Sequence, residues 1–274
     1  MTKNILIIGL KEFDSGKTNI SIALISYIRE KNYDVCGFKP FSGNNIWYNY
    51  DTINQTLLEG RLYGKDASLL KKKSSLEIKE ELINPIHRLW NEPQIIDPFT
   101  HLPNFIIDRI SIIKKENEEH ILLINQNKIN KIPKKYLKKI NEKPYKKYTI
   151  NNSIELNKSI KSFFKIAVKT NYNYIKKKVD YIVIESYSDN VLSPWEGLDH
   201  FDIVIAVKPW KIFIYDSIKF EKALEVLKPL YSWEISAGKI IDLIKPIKTI
   251  NIKQNKSGDI IPYLKSKAHL IIDL

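Results

Sequence analysis

The chain contains a single cysteine, Cys36, among its 274 residues. One thiol cannot build an internal disulfide framework and is typical of a reducing compartment, so we expect a cytoplasmic protein. No apolar run approaches the roughly 20 residues that cross a membrane, and the run near the amino terminus is too short for a secretory signal, so we expect no membrane partner. Internal repeats and low-complexity linkers are also missing. These absences exclude a disulfide-stabilised scaffold and a repeat array.

Basic residues are in excess. There are 44 Lys and Arg against 31 Asp and Glu, a formal net charge of +13, while 43% hydrophobic residues are enough for a buried core. The charge predicts an anionic partner, which is a nucleotide, nucleic acid or an acidic surface. Charge runs are more often solvated faces than nucleic-acid contacts, and both readings stay open here. The lysine clusters lie at residues 71–73, 134–135, 138–139, 146–147 and 176–178.

A phosphate-binding motif occurs near the amino terminus. Residues 14–18 read Asp-Ser-Gly-Lys-Thr and follow an apolar run at residues 5–8. Apolar side chains then recur at helical spacing as far as residue 28, which predicts a helix with one buried face. A strand, a tight loop and a helix in this order form a phosphate cradle. The general pattern has glycine at the position of Lys11, whereas Gly9 lies two positions earlier.

Each residue type in this motif has a chemical reason. Gly16 lets backbone N–H groups approach anionic oxygens, and Lys17 would reach the outer phosphates. The Thr18 hydroxyl is a ligand for Mg²⁺, and the helix amino terminus adds its positive end. A glycine-containing surface turn is the alternative. The predicted nucleotide-binding residues are Glu12, Phe13, Asp14, Ser15, Gly16, Lys17 and Thr18.

Two further strands end in residues suited to phosphoryl chemistry. Residues 35–38 form a short predicted strand followed by Lys39, and residues 181–184 form an apolar one followed by Glu185. Ligands of open parallel sheets bind at the carboxyl ends of the strands, so we expect both side chains to face the phosphate loop. Glu185 would then hold Mg²⁺ with Thr18, directly or through water. The alternative for Lys39 is a solvated side chain at a strand exit.

Together these motifs resemble the dethiobiotin synthetases. That family has two acidic residues in a loop before Gly-Lys-Thr and then Gly-aromatic-Lys-Pro, matched here by Glu12, Asp14 and residues 37–40. The resemblance covers about residues 3–93 and 155–227. It implies an α/β fold of the P-loop NTPase class, with a mostly parallel sheet flanked by helices.

The resemblance also suggests further site residues. Ser42 is similar to a substrate-side serine of the family, and residues 44–61 look inserted. In the register that follows, Asp66 matches the family's metal-binding aspartate. Asp51 is the rival on proximity to Lys39, with a helix N-cap as its alternative role.

A family-like reaction would use ATP and Mg²⁺. Dethiobiotin synthetases close a urea ring from a diamine and CO₂ through a carbamate that attacks the γ-phosphate. The resemblance therefore implies catalytic roles for Lys17 and Lys39, metal ligation by Thr18, Asp66 and Glu185, a small-molecule acceptor, and a homodimer. Since residues 186–189 replace the family's Gly-Ala-Gly-Gly with bulkier side chains, we predict that diaminopelargonate is not the acceptor.

The resemblance stops between about residues 98 and 153, where apolar strands alternate with Lys- and Asn-rich turns. We predict an inserted, mainly β subdomain at residues 98–153, with residues 1–97 and 154–274 forming the two parts of a P-loop ATPase domain. Two other functions stay open. A partitioning-type or switch ATPase has a lysine at the position of Glu12, and a nucleic-acid-binding protein would use the basic insertion.

Overall fold

The computed structural model describes residues 2–11, 14–91, 100–115, 117–191, 198, 200–230, 235–253 and 259–272. The strands are β1 (Lys3–Gly9), β2 (Val35–Phe38), β3 (Phe41–Asn45), β4 (Ile86–Trp90), β5 (Ile107–Lys114), β6 (Asn117–Asn125), β7 (Lys146–Ile150), β8 (Tyr181–Glu185), β9 (Ile203–Lys208), β10 (Lys211–Tyr215) and β11 (Lys248–Asn251). The α-helices are α1 (Lys17–Glu30), α2 (Tyr50–Leu58), α3 (Lys65–Lys73), α4 (Glu80–Ile83), α5 (Lys134–Asn141), α6 (Ser153–Lys176), α7 (Ser217–Leu227), α8 (Ala237–Ile241) and α9 (Ile260–Ser266).

The chain divides into two compact units. The first unit comprises Met1–Pro40, Leu69–Ile78 and Tyr172–Leu274, and the second comprises Phe41–Ser68 and Lys79–Asn171. Each unit contains one sheet. The predicted domain bounds at residues 98 and 153 stay a prediction.

The sheet of the first unit has the order β11-β10-β9-β1-β8-β2. Strand β1 is parallel to both neighbours, with Ile5 opposite Val183 of β8 and Ile203 of β9. Strand β2 is also parallel to β8, whereas β10 and β11 are antiparallel. Ile5 to Ile8 are fully buried at the centre of the sheet. The prediction of an α/β fold with a largely parallel sheet and flanking helices is therefore confirmed, in the form of mixed sheets.

Helix α1 packs one face on this sheet. Its apolar residues at positions 20, 24, 25 and 28 are buried, as the helical spacing predicts. Gly37 of β2 allows the close approach of neighbouring side chains, because a Cβ there would lie 2.8 Å from Leu70 Cβ and 3.1 Å from Ile25 Cδ1. Helix α1 is thereby held against the strands whose carboxyl ends form the candidate site.

One expectation from the resemblance is wrong. The family has a turn at residues 208–210 that leads into a helix, expected here to run to Leu227, but these residues form a turn into β10, which pairs antiparallel with β9. Trp210 has a φ of 66°, in the left-handed region. The isoleucine, phenylalanine and tyrosine side chains of β10 favour a strand. Helix α7 begins only after Asp216, whose side chain accepts a hydrogen bond from the Lys219 N–H at 2.9 Å.

The sheet of the second unit has the order β3-β4-β5-β6-β7. Strands β5 and β6 form a long antiparallel pair, and strands β3 and β7 lie parallel to their neighbours β4 and β6. The strands of the predicted insertion thus continue a sheet that β3 and β4 begin. A buried cluster covers one region of this unit and includes Ile53, Leu57, Leu62, Leu89, Ile106, Ile107, Leu122, Ile132, Tyr136 and Ile140.

Among the residues that the structure describes, no helix combines the length and the hydropathy that crossing a membrane requires.

Candidate functional site

The loop after β1 has backbone conformations suited to an anion cradle. Asp14 has a φ of 51° and Gly16 a φ of 92°, so both are left-handed. Gly16 caps the amino terminus of α1, whose first N–H groups have no partner within the helix. Ser15, between them, is 2% exposed. Alternating backbone conformations of this kind turn successive N–H groups toward one concavity.

Gly9 explains how this loop accommodates its lysine. A Cβ at Gly9 would lie 2.5 Å from Lys17 Nζ, 2.8 Å from Ser15 Oγ and 2.9 Å from the carbonyl oxygen of Ser188. Any larger residue would displace the lysine. The glycine two positions before the expected one therefore provides the space in which the Lys17 ammonium lies.

The Lys17 side chain is 8% exposed. Its ammonium donates a hydrogen bond to the Ser188 carbonyl at 2.6 Å and to Ser15 Oγ at 3.2 Å. Ser188 has a φ of 53°, which is uncommon for a residue with a Cβ. The segment after Glu185 thus supplies a direct contact to the loop lysine.

A buried carboxylate lies at the centre of the same unit. Glu185 is fully buried and ends β8. Its Oε1 accepts a hydrogen bond from Thr18 Oγ1 at 2.9 Å and lies 2.5 Å from Lys39 Nζ. Its Oε2 accepts a hydrogen bond from Ser21 Oγ at 3.0 Å. Lys39 is 4% exposed, so this is a buried ion pair and not a solvated lysine at a strand exit.

The sheet register brings these groups together. Ile7 of β1 is opposite Glu185, and Phe38 of β2 is opposite Ile184. The loop after β1 and Lys39 therefore leave the sheet at the same edge as Glu185, at the carboxyl ends of three parallel strands. Removing two charges from water is costly, and such a pair needs well-placed hydrogen bonds to offset this cost. A carboxylate, a hydroxyl and two ammonium groups at this edge are suited to binding a metal-bound phosphate.

A cavity of about 380 Å³ adjoins the loop within the first unit. Apolar side chains from β9, β10, the turn between them and the carboxyl-terminal segment form much of its wall. Residues that line it include Gly16, Asn19, Val207, Trp210, Ile252 and Leu264. Of these residues only Gly16 is predicted from the sequence, because those of β9, the β9–β10 turn and the carboxyl-terminal segment belong to no local motif.

The remaining predicted site residues lie in the second unit or outside the described residues. Glu12 and Phe13 lie outside the described residues. Asp66 lies in the first turn of α3 and Ser42 in β3, both in the second unit, and their roles stay predictions. Asp51 is in the first turn of α2, but the N-cap of that helix is Asn49. Within the described part of the chain, no three His, Cys, Asp or Glu side chains are grouped as metal ligands.

Ser42 belongs to a buried polar network in the second unit. Its hydroxyl donates to Asn84 Oδ1 at 2.7 Å and lies 3.1 Å from His87 Nδ1. Because the single hydroxyl hydrogen of Ser42 points to Asn84, the hydrogen of His87 is on Nδ1. Burial lowers the pKa of His87 to about 3, and the nearby positive charge of Arg109 acts in the same direction.

Arg109 is the largest fully buried side chain among the described residues. It donates to the carbonyl oxygens of Leu62 at 2.9 Å and Pro85 at 3.0 Å, and to Ser111 Oγ at 2.9 Å. Burial lowers its pKa to about 10. Neither His87 nor Arg109 was identified from the sequence, since each lies in an ordinary strand pattern.

The comparisons with known proteins add nothing to this geometry: no protein-family model matches the chain, and a search of curated proteins finds no match.

Proposed function

We propose that the first unit binds a nucleoside triphosphate with Mg²⁺, and that the protein is a P-loop ATPase or ATP-dependent ligase that resembles dethiobiotin synthetase. The observation that carries this proposal is the convergence of Lys17, Thr18, Lys39 and Glu185 at the carboxyl edge of parallel strands. Nucleotide-binding α/β proteins use this edge and a helix amino terminus for phosphate.

The residues present fit a phosphate group. The Lys17 ammonium occupies a space that a side chain at Gly9 would fill, directly beside the start of α1. An incoming phosphate would exchange the neutral Ser188 carbonyl for an anionic partner of the ammonium. Hydrogen bonds to charged partners are stronger than those to neutral ones, so this exchange favours binding.

Thr18 and Glu185 fit a hard cation, because hydroxyl and carboxylate oxygens are the ligands that Mg²⁺ prefers. Bound Mg²⁺ would neutralise charge on the outer phosphates. Asp66 is proposed as a further ligand. Lys39 would then turn from Glu185 toward the charge that develops during phosphoryl transfer.

We further assign the nucleobase to the 380 Å³ cavity beside the loop. Its apolar wall and the Trp210 ring suit the faces of a planar base, while the exposed Asn19 amide can both donate and accept hydrogen bonds. The acceptor that receives the phosphoryl group stays unassigned. The replacement of the family's glycines at residues 186–189 favours an acceptor other than diaminopelargonate.

The remaining parts of the proposal rest on the resemblance. They are the P-loop NTPase fold with an insertion at residues 98–153, a homodimer, and a cytoplasmic location. A partitioning-type ATPase is less well supported, because Glu12 stands where that class has its second lysine.

Calorimetric titration of Mg-ATP tests the proposal. Lys17→Ala removes a charged contact worth roughly 1.5–3 kcal/mol, so we expect the affinity to fall about ten- to a hundredfold. Lys11→Ala is the matched control, since Lys11 is exposed and lies in the same loop. A parallel thermal-shift series with ATP, GTP and CTP would define the preferred base, because a ligand of the folded state raises its stability.

Equal affinities of the two variants, or a larger loss for Lys11→Ala, would contradict the phosphate cradle. Absence of any nucleotide-dependent thermal shift in the unmodified protein would overturn the proposed function as a whole.

A further inference from the structure

Three exposed aromatic residues lie within four positions of the second unit. Trp47 is 78% exposed, Tyr48 is 83% exposed and Tyr50 is 56% exposed. They lie between β3 and the first turn of α2, and the Asn45 side chain fixes the turn by accepting from the backbone N–H groups of residues 47 and 48. Large rings are usually buried, so an ordered turn that presents three of them indicates an interaction surface.

A strongly basic helix belongs to the same unit. Residues 128–147 contain nine lysines and one glutamate. Within α5, Tyr136 and Ile140 are buried in the apolar cluster, so the lysines occupy the opposite, solvent-exposed face. Among the described residues, Lys134 and Lys138 have no carboxylate within ion-pair distance. This face therefore presents uncompensated positive charge.

Contacts between α2 and α5 place the aromatic residues and the lysines close together. Tyr136 Oη of α5 donates to Asn54 Oδ1 of α2, and Gly60, two residues beyond the end of α2, lies close to the Lys139 carbonyl of α5. Residue numbers rise together in these two contacts, so residues 54–60 and 136–139 run in the same direction. Tyr50 and Lys134 lie upstream of both contacts, in the first turns of the two helices.

We propose that the exposed aromatic residues Trp47, Tyr48 and Tyr50, together with the lysines of α5, bind single-stranded nucleic acid. We call this region the aromatic–lysine surface. Aromatic rings provide stacking platforms for unpaired bases, and a row of lysines follows the phosphate backbone. The pairing of both features on neighbouring helices is what distinguishes this region from an ordinary solvated lysine face.

Charge and side-chain type favour this occupant over others. A second copy of the chain that met the same surface across a two-fold axis would place like charges opposite each other. For a membrane surface, a basic helix would have to bury its apolar side chains in lipid, but Tyr136 and Ile140 of α5 are already buried within the unit. Duplex nucleic acid would engage the lysines but would not offer unstacked bases to the rings.

Fluorescence anisotropy of labelled oligonucleotides tests the proposal. The probes are oligo(dT), oligo(rU) and a duplex, each about 20 nucleotides long, titrated with the full chain at several salt concentrations. We expect binding of both single strands in preference to the duplex.

Two double variants separate stacking from charge. Trp47→Ala with Tyr48→Ala should weaken single-strand binding about tenfold or more while leaving the salt dependence unchanged. Lys134→Ala with Lys138→Ala should reduce the slope of log affinity against log salt by about 1.4, because each phosphate contact on a single strand contributes about 0.7.

The controls remove exposed charge and exposed apolar surface from α6 instead. Lys158→Ala with Lys161→Ala removes the same charge from an exposed region of α6, and Ile154→Ala removes an apolar side chain that is 79% exposed. Lys17→Ala shows whether oligonucleotides bind at the phosphate cradle instead. Each control should bind like the unmodified protein.

Three results would overturn the proposal. These are an equal loss in the test and control variants, absence of oligonucleotide binding at low salt by a correctly folded protein, and variant-sensitive binding to phosphatidylserine vesicles without oligonucleotide binding. Since Mg-ATP binding by the first unit is measured separately, failure here leaves the proposed ATPase function unaffected.

Discussion

The two units bury positive charge in different ways. In the first unit, the buried Lys39 ammonium contacts the carboxylate of Glu185, which also accepts hydrogen bonds from Thr18 and Ser21. In the second unit, the buried Arg109 guanidinium donates to carbonyl and hydroxyl oxygens. The first arrangement places a cation and an anion at the carboxyl edge of parallel strands. The second connects several chain segments through hydrogen bonds to one side chain.

This difference distinguishes buried charges with a structural role from buried charges that can bind a ligand. A guanidinium can bind several carbonyl groups in fixed directions, so Arg109 connects the segments around Leu62, Glu81 and Pro85. An ammonium beside a carboxylate can exchange partners when phosphate and metal arrive. We therefore interpret Arg109 as structural and the Lys39–Glu185 pair as functional.

Replacement of Arg109 should give the largest effect. Arg109→Met removes the donors for buried carbonyl oxygens, each of which costs about 1–3 kcal/mol when left without a hydrogen bond, and we expect the free energy of unfolding of the second unit to fall by about 4 kcal/mol. Amide hydrogen exchange of β5 and β6 measures this fall in the free energy of unfolding. Arg29→Met is the control, since Arg29 is exposed and donates to the Lys73 carbonyl. Similar losses of unfolding free energy in both variants would contradict a structural role for Arg109.

The Lys39–Glu185 pair should behave differently. Lys39→Met leaves a buried carboxylate without its cation, and we expect a loss of roughly 3 kcal/mol in the stability of the first unit. Adding Glu185→Gln removes the uncompensated charge; the amide oxygen can still accept from Thr18, and the amide NH2 can donate to Ser21 Oγ, which itself donates to the Lys17 carbonyl. The double variant should therefore recover most of the loss, as a double-mutant cycle followed by hydrogen exchange of β1 and β8 would show.

Additive losses in that cycle would contradict a direct charge pair. By contrast, no single second substitution should rescue Arg109→Met, because its partners are spread over several segments. Rescue of Lys39→Met but not of Arg109→Met would distinguish a pair of charges from a side chain whose contacts are spread over several segments.

Local chemistry explains what could be predicted from the sequence. The order of β1, loop and α1 follows from an apolar run, Gly16 and helical spacing, all within 30 residues. Glu185 was recognised as a strand-ending acid, although its contact with Lys39 spans 146 positions. The sequence predicts that both side chains face the loop, because parallel strands share a carboxyl edge, but it does not predict their direct contact.

Long-range pairing explains what could not be predicted. Strand β10 was missed because its pairing with β9 and β11 is set by the turn at Trp210 and not by its own short pattern. Arg109 is flanked by apolar strand residues, and nothing local indicates that its side chain is enclosed by three other segments. His87 likewise acquires its properties from burial, which a strand pattern cannot reveal.

The smallest predicted effect concerns this histidine and tests whether the second unit tolerates a new buried charge. Burial holds the pKa of His87 at about 3, with Arg109 nearby, whereas an unfolded chain has a histidine pKa of about 6.5. Between these values the unfolded state binds one more proton than the folded state. The contribution of His87 to stability should therefore be constant above pH 6.5 and fall by about 1.4 kcal/mol for each pH unit from there down to about pH 3.

Comparison with His87→Asn isolates this contribution, because asparagine keeps a donor near the position of Nδ1 but does not titrate. Hydrogen exchange of β4 and β5 at about pH 7, 6 and 5 should show a shallower loss of stability in this variant than in the unmodified protein. His269→Asn, at an exposed position, should retain the unmodified slope. An unmodified slope of stability against pH in His87→Asn would mean that the His87 ring accepts a proton in the folded state. The second unit would then share the charge-exchange behaviour that we assign to the first.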